Sequence, residues 1–221
     1  MTPIEIQITY DFICPWCWIG HEHLKAALKA ADLSAPVVIR YVPYELNPTM
    51  PKNGVNRKAY RSAKFGTWAR SQVMDADVTL AGQRAGVAFN YDRVAITPNT
   101  RLAHRLMFFA QGKGAVDKTA SLFEAILEAY FSEGQDIGAV DVLVKLAERT
   151  GFDAEAVRSF LVTSNGEREV AEAELQAQTA GVRSVPTIRI GDVPVSGAQP
   201  PSVWVQVLHS AANDKTAEAA V

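Results

Sequence analysis

The sequence predicts an α/β chain in which a mixed four-stranded sheet with flanking helices is interrupted by an all-helical insertion. Three observations carry this. Strand, helix and strand patterns succeed one another before Pro51. From Asn53 to about Thr163 only helical patterns follow, separated by Gly, Asn and Pro. Strand patterns return after Val185 as a hairpin with a helix behind it. The division is therefore residues 1–52 for the first half of the sheet unit, 53–164 for the insertion and 165–221 for the second half.

The first strand rests on Ile4, Ile6 and Ile8 alternating with Glu5, Gln7 and Thr9, a period of two that points one face inward. Pro15 suits the first turn of the helix that follows, where a missing N–H costs nothing. Leu24, Ala27, Leu28 and Ala31 recur at helical spacing, and Ser34-Ala35-Pro36 ends that helix. Val37 to Glu45 is a second strand, broken near Pro43 and closed by Asn47-Pro48, which completes a βαβ unit.

In the insertion, Asn56 to Met74 is a polar helix, and Asp77 to Gly86 a shorter one with Leu80 and Val87 inward. Pro98-Asn99-Thr100 caps a helix over Arg101–Gln111, ended by Gly112-Lys113-Gly114. Asp117–Phe131 carries Leu122, Ile126, Ala129 and Tyr130 on one face; Val140–Arg149 and Ala154–Leu161 follow. Phe108, Phe109, Phe123, Phe131 and Phe160 read as core.

The second half opens with a charged helix, Asn165–Ala180, capped by Gly181. Val185–Ile190 is a strand, Gly191-Asp192 a hairpin turn, and Val193–Ser196 an edge strand, since Pro194 cannot donate to a ladder. A last helix runs from Pro201 to about Ala212 with Val203, Val207 and Leu208 inward; from Asn213 the tail frays. Assembled, the order β-α-β, helical insertion, α-β-β-α is a thioredoxin fold with its second half displaced. Strands 1 and 2 are expected parallel, with the hairpin antiparallel beside them.

Composition narrows the function. With 48% hydrophobic and 21% charged residues the chain is an ordinary globular one. A net charge of −2 carries no basic footprint, which argues against a nucleic-acid partner. No apolar run reaches the ~18 residues of a membrane span. Residues 1–10 hold no Lys or Arg and place Glu5 among apolar residues, unlike a secretory signal. A cytoplasmic protein is the expectation, and there a working redox pair is more plausible than a structural disulfide.

The chemistry concentrates in Cys14-Pro15-Trp16-Cys17, which holds both cysteines of the chain at a strand-to-helix junction. Thiol–disulfide exchange needs a thiolate to attack and a second thiol to resolve the mixed disulfide. Unpaired N–H groups at a helix start favour the anion, and C-x-x-C settings bring a thiol from about 8.5 to roughly 3.5–7.5. Cys14 is assigned as nucleophile, and Cys17, one turn deeper, as resolver. Pro15 and Trp16 shape the site, with Trp16 at its surface. Zinc would need more ligands than Cys14, Cys17 and either His21 or His23 supply, so no metal is expected. His21 and His23 are expected at or near the helix surface, His21 close enough to influence the thiolate. Val185-Pro186, opening a late strand, is the candidate for a cis-proline facing the nucleophile, and the Val185 backbone could pair with an extended substrate. Asn99 and Thr100 read first as a helix cap and second as cleft residues. Glu45 reads as a solvated edge charge in preference to a proton acceptor for Cys17.

Several segments resemble the DsbA-type thioredoxins, and within them the FrnE-like branch: Asp11-Phe12-Ile13-Cys14-Pro15-Trp16-Cys17-Trp18-Ile19-Gly20, Tyr44-Glu45-Leu46-Asn47-Pro48, Asn99-Thr100-Arg101-Leu102-Ala103-His104-Arg105-Leu106, Gly181-Val182-Arg183-Ser184-Val185-Pro186-Thr187 and Ser196-Gly197-Ala198-Gln199-Pro200-Pro201. The resemblance spans almost the whole chain. It implies a dithiol–disulfide oxidoreductase or isomerase acting on protein or small-molecule disulfides, often as a homodimer, with the Cys14–Cys17 disulfide in place of a cofactor. The second, C-terminal cysteine pair of some FrnE-like proteins is missing, which excludes a shuttle between two disulfides in one chain. The same superfamily holds 2-hydroxychromene-2-carboxylate isomerases and kappa-class glutathione transferases, which use a serine and bound glutathione. A glutathione-dependent isomerase or transferase is therefore the alternative. Against it stand Cys14 with its partner and Gly197-Ala198-Gln199-Pro200, which lacks the Asp-Arg typical of those enzymes. Glutathione stays open as a co-substrate.

Overall fold

A computed structural model describes residues 3–218, with side chains described to Asn213. Strand β1 (Ile4–Tyr10) runs up the centre with Ile4, Ile6, Ile8 and Tyr10 all buried. Helix α1 (Pro15–Ala30) then crosses over to β2 (Val37–Pro43), which lies parallel to β1 in a register from Ile4 opposite Val37 to Tyr10 opposite Pro43. Strand β5 (Thr187–Ile190) pairs antiparallel with the other side of β1, and β6 (Val193–Ser196) closes the sheet in the order β2-β1-β5-β6. Pro194 thus falls on an edge strand, opposite Arg189, where its missing N–H interrupts no ladder. Helix α9 (Pro201–Glu218) packs beside α1, with Trp204 and Leu208 buried. It continues past Ala212, and residues 219–221 lie outside the described residues.

Between β2 and β5 come α2 (Arg57–Phe65), α3 (Trp68–Ala85), α4 (Arg101–Gly112), α5 (Val116–Phe131), α6 (Val140–Arg149), α7 (Ala154–Leu161) and α8 (Glu167–Thr179). Nine helices therefore flank the sheet among the described residues. The first two helices of this stretch divide differently from the sequence pattern. The break falls at Gly66, whose φ is +95°, and Thr67 restarts the helix by accepting the Arg70 N–H at 3.1 Å. No breaker separates Met74 from Asp77, so α3 runs through. Its buried stripe is Ser71, Asp75, Val78 and Gly82. Leu80 lies off that stripe and is exposed, whereas Val87 is buried as expected. A two-residue ladder, β3 (Val55–Asn56) against β4 (Ile96–Thr97), also lies in the stretch read as free of strands; two residues carry no periodicity to read. Phe108 is exposed, while Phe123 and Phe131 are core.

An aromatic cluster joins the sheet to the helices. Phe123 of α5 lies 4.8 Å from Tyr10 and 4.5 Å from Tyr41, ring centre to ring centre, and Tyr10 lies 5.0 Å from both Phe12 and His104. Rings of this kind bury about 150–250 Å² each, so the end of β1 and the residues leading to Cys14 are held from several sides.

Candidate functional site

Cys14 occupies the N-cap position of α1 with extended backbone (φ −92°, ψ 108°), and Pro15 sits in the first helical turn. The Cys17 N–H bonds the Cys14 carbonyl at 3.0 Å, and the Cys14 N–H bonds the Asp11 carbonyl at 3.1 Å. Both thiols are free, with Cys14 6% exposed and Cys17 fully buried. Cys14 therefore keeps a small opening to solvent, and Cys17 none. Burial pushes the Cys17 thiol well up, reinforced by its hydrogen bond with Cys14 and by the charge of that neighbour.

The chain end supplies the opposite wall. The Val185–Pro186 peptide is cis, and the Cys14 thiol donates to the Val185 carbonyl at 3.4 Å. Gly197 N–H holds the Pro186 carbonyl at 2.8 Å. Helix α1 passes so close that a Cβ on Gly20 would lie 3.2 Å from Pro186 Cγ, so glycine permits the approach. Trp16 is 42% exposed beside the thiol, as its position between the cysteines predicts.

Behind the cysteines lies a buried polar layer. Asp11 is fully buried; Oδ2 accepts the Leu46 N–H at 2.7 Å and Oδ1 faces His104 Nε2 at 3.3 Å. Glu45 is buried too, which corrects its reading as a solvated edge charge. Arg101 grips it with Nε and Nη2 at 2.6 and 2.8 Å, and the Glu45 backbone N–H donates to the Glu174 carboxylate. Burial raises the Glu45 carboxyl against the pull of Arg101.

His21 is only 2% exposed, because α1 turns it into the core toward α5; there Nε2 meets Glu124 at 3.0 Å. Burial works to raise the Glu124 carboxyl, but hydrogen bonds from His21 and Lys25 outweigh it and hold it at about 2. His23 is half-buried with Nδ1 on the Gln199 carbonyl at 2.9 Å. Neither histidine joins the cysteines as a ligand set. His21, Glu22 and Glu124 do bring candidate ligand atoms within 4.8 Å of one another, yet the Lys25 ammonium already bonds both carboxylates at 3.1 and 2.8 Å. Asn99 caps α4 by accepting the Arg101 N–H at 2.9 Å, and its Nδ2 donates to the Met50 carbonyl. Thr100 is the buried N-cap residue and makes no side-chain cap bond. His21, Asn99 and Thr100 all stand outside the wall of the cavity at Cys14.

That cavity, of about 310 Å³, is bounded by Cys14, Pro15 and Trp16 on one side and by α2 and α3 on the other. Helix α2 brings Arg57, Arg61 and Lys64 to it. These escaped the sequence reading, although their spacing, four and then three residues, puts them on one helix face. A larger cavity of about 890 Å³ contains neither cysteine, so the cavity that meets Cys14 is the smaller one.

A thioredoxin fold with a dithiol opening its first helix, facing a proline-led strand, defines the class of protein. The chain belongs to the family of the DSBA-like thioredoxin domain, whose model matches residues 5–209. Among solved structures it is similar to the probable DsbA oxidoreductase SCO1869 of Streptomyces coelicolor, with 28% identity, a TM-score of 0.86 and coverage of 94% of this chain and 89% of that one. It is 28% identical to the uncharacterized protein YwbO of Bacillus subtilis over 93% of this chain and 96% of that protein. The fold is shared at 17% identity by a 2-hydroxychromene-2-carboxylate isomerase, with a TM-score of 0.69 and 98% of each chain covered.

Proposed function

We propose that this protein is a thiol–disulfide oxidoreductase working through Cys14 and Cys17. The supporting observation is the placement of Cys14: at the start of α1, in a cavity wall, with its sulfur 3.4 Å from the Val185 carbonyl. The Cys14 thiolate attacks one sulfur of a substrate disulfide, and the other sulfur leaves as a thiolate that takes a proton from solvent. Cys17 then loses its proton and attacks Cys14 of the mixed disulfide. The Cys14–Cys17 bond forms and the second substrate thiol departs, so two electrons have passed to the substrate. The same steps reversed oxidise a dithiol, and glutathione can restore the pair through the same mixed disulfide. Burial that keeps Cys17 protonated makes it a resolver instead of a competing nucleophile.

The test is single-turnover reduction of a model disulfide by the pre-reduced protein. Cys17→Ser is expected to stop with the substrate joined to Cys14, visible by intact mass; Cys14→Ser is expected to be inert. Equal activity of wild type and Cys14→Ser would refute the mechanism. Turnover that survives Cys17→Ser and depends on added glutathione would place the chain with the isomerases of this fold.

A further inference from the structure

The cavity beside Cys14 has a charge that the oxidoreductase reading does not use. Its wall holds three cations, Arg57, Arg61 and Lys64, and one carboxylate, Asp75. Arg57 Nη2 and Arg61 Nη2 both bond that carboxylate, at 2.7 and 2.9 Å. One carboxylate neutralises one guanidinium, which leaves the second guanidinium and the Lys64 ammonium in excess. Among the described residues Lys64 meets no carboxylate: it bonds Asn47 Oδ1 at 3.2 Å and Tyr60 Oη at 2.8 Å and lies over the Tyr60 and Phe65 rings. Tyr91, also in the wall, has a buried hydroxyl with no hydrogen-bond partner among the described residues. Apart from Thr97, the rest of the lining is apolar and aromatic, including Phe65, Met74, Val78 and Phe131.

We infer that this cavity selects low-molecular-mass disulfides that carry a carboxylate on an apolar or aromatic body. The inference rests on the oxidoreductase reading of Cys14 and names its substrate class. A volume of about 310 Å³ is at the lower end of small-molecule sites and is too small for a folded partner to enter. The apolar wall takes the body, Cys14 in the same wall takes the sulfur, and the surplus cations of α2 take the carboxylate. The whole chain carries −2, so its overall field does not attract anions; any preference for them has to come from this local surplus.

The experiment compares two aromatic disulfides that report released thiol by colour: 5,5′-dithiobis(2-nitrobenzoate), with a carboxylate on each ring, and the uncharged 4,4′-dithiodipyridine. In both, the Cys14 thiolate displaces one aryl thiolate; Cys17 loses its proton to solvent and displaces the other as the Cys14–Cys17 disulfide forms. Each rate for the reduced protein is divided by that of 2-mercaptoethanol, and the readout is the ratio of the two quotients. A general loss of Cys14 reactivity does not move this ratio. The wild-type ratio is expected to favour the dianion by about tenfold at low salt and to fall as salt screens the cations. Lys64→Gln should lower it about threefold and Lys64→Glu about tenfold, the scale of a partly exposed charge pair lost and then reversed. Lys118→Glu, whose ammonium bonds the Gly151 carbonyl away from this cavity, makes the same change in net charge and should leave the ratio alone.

A wild-type ratio near one, or a ratio that Lys64→Glu does not change, would overturn the inference and leave the oxidoreductase reading standing. So would an equal fall in Lys118→Glu, which would trace the effect to overall charge. Undiminished reaction of Cys14→Ser with both probes would instead overturn the reading beneath it.

Discussion

Asp11→Ala removes the carboxylate that ties together the backbone on which Cys14 rides. In the folded protein the side chain is fully buried and accepts from Leu46 N–H at 2.7 Å, with His104 Nε2 at 3.3 Å. The His104 ring is equally buried and its Nδ1 has no partner among the described residues, so losing Asp11 strips the ring of its remaining hydrogen bond. Each buried donor left without an acceptor costs about 1–3 kcal/mol, so the two donors, Leu46 N–H and the His104 ring, together cost about 2–6 kcal/mol. The desolvation cost of the carboxylate, relieved in the variant, keeps the sum from the top of that range. The expectation is a loss of about 3–4 kcal/mol, or roughly 6–16 °C in Tm at 2–4 °C per kcal/mol for a chain of this size. Asp11→Asn retains an oxygen acceptor and should cost about 1–2 kcal/mol. Urea unfolding of the reduced proteins measures both, provided the m-value holds. A cost below about 0.5 kcal/mol for the alanine variant would show that surface-like behaviour had been mistaken for a buried tie. The charge has a second effect: it pushes the Cys17 thiol up, a smaller contribution than burial and Cys14 make. In a Cys14→Ser background, Asp11→Asn should therefore move the pH profile of Cys17 alkylation to lower pH; a profile that stays put would refute that coupling.

Iodoacetamide at neutral pH should label Cys14 of the reduced native protein and spare Cys17, because burial and its bond to Cys14 keep the Cys17 thiol protonated well above the ordinary thiol range; peptide mapping reads the site. Arg105→Met should cost about 2–4 kcal/mol in urea unfolding, since the guanidinium, with its side chain 2% exposed, donates to the carbonyls of Phe160, Leu161, Thr163 and Asn165 and the methionine to none. Glu124 is held at about 2, below its ordinary 4.5. A depressed carboxyl stabilises the fold above its unfolded value and loses that contribution as pH falls through the folded one. The wild type should therefore shed stability from about pH 4.5 down to about pH 2, and Glu124→Gln should show a flatter urea midpoint over the same window.

Much of this architecture is legible in short windows of sequence. The alternation Ile4-Glu5-Ile6-Gln7-Ile8 marks β1, the apolar spacing of Leu122, Ile126 and Tyr130 marks α5, and Gly191-Asp192 marks the last hairpin, because each signal sits inside one element or one turn. Where the pattern misleads, the reason is local as well. The stop at Gly66 and the cap at Thr67 are single-residue events in a polar stretch, and the β3–β4 ladder is too short to show a period. Exposure of His21 and Glu45 was expected from their polarity, yet both are buried. Their partners, Glu124 and Arg101, lie 103 and 56 residues away, beyond any window that periodicity can use.

The sequence alone determines that a C-P-W-C opens the first helix after a buried strand and that Val185-Pro186 opens a later one. It also determines the order of strands and helices between and around them, because backbone propensity and hydrophobic period act over a few residues. Only the tertiary structure decides that Cys14 reaches the Val185 carbonyl across 171 residues. It also decides that Cys17 is sealed, that Asp11 meets His104, and that the cations of α2 stand around the nucleophile. Those are outcomes of packing one element against another, where close approach and exclusion of water set the environment of each thiol and charge.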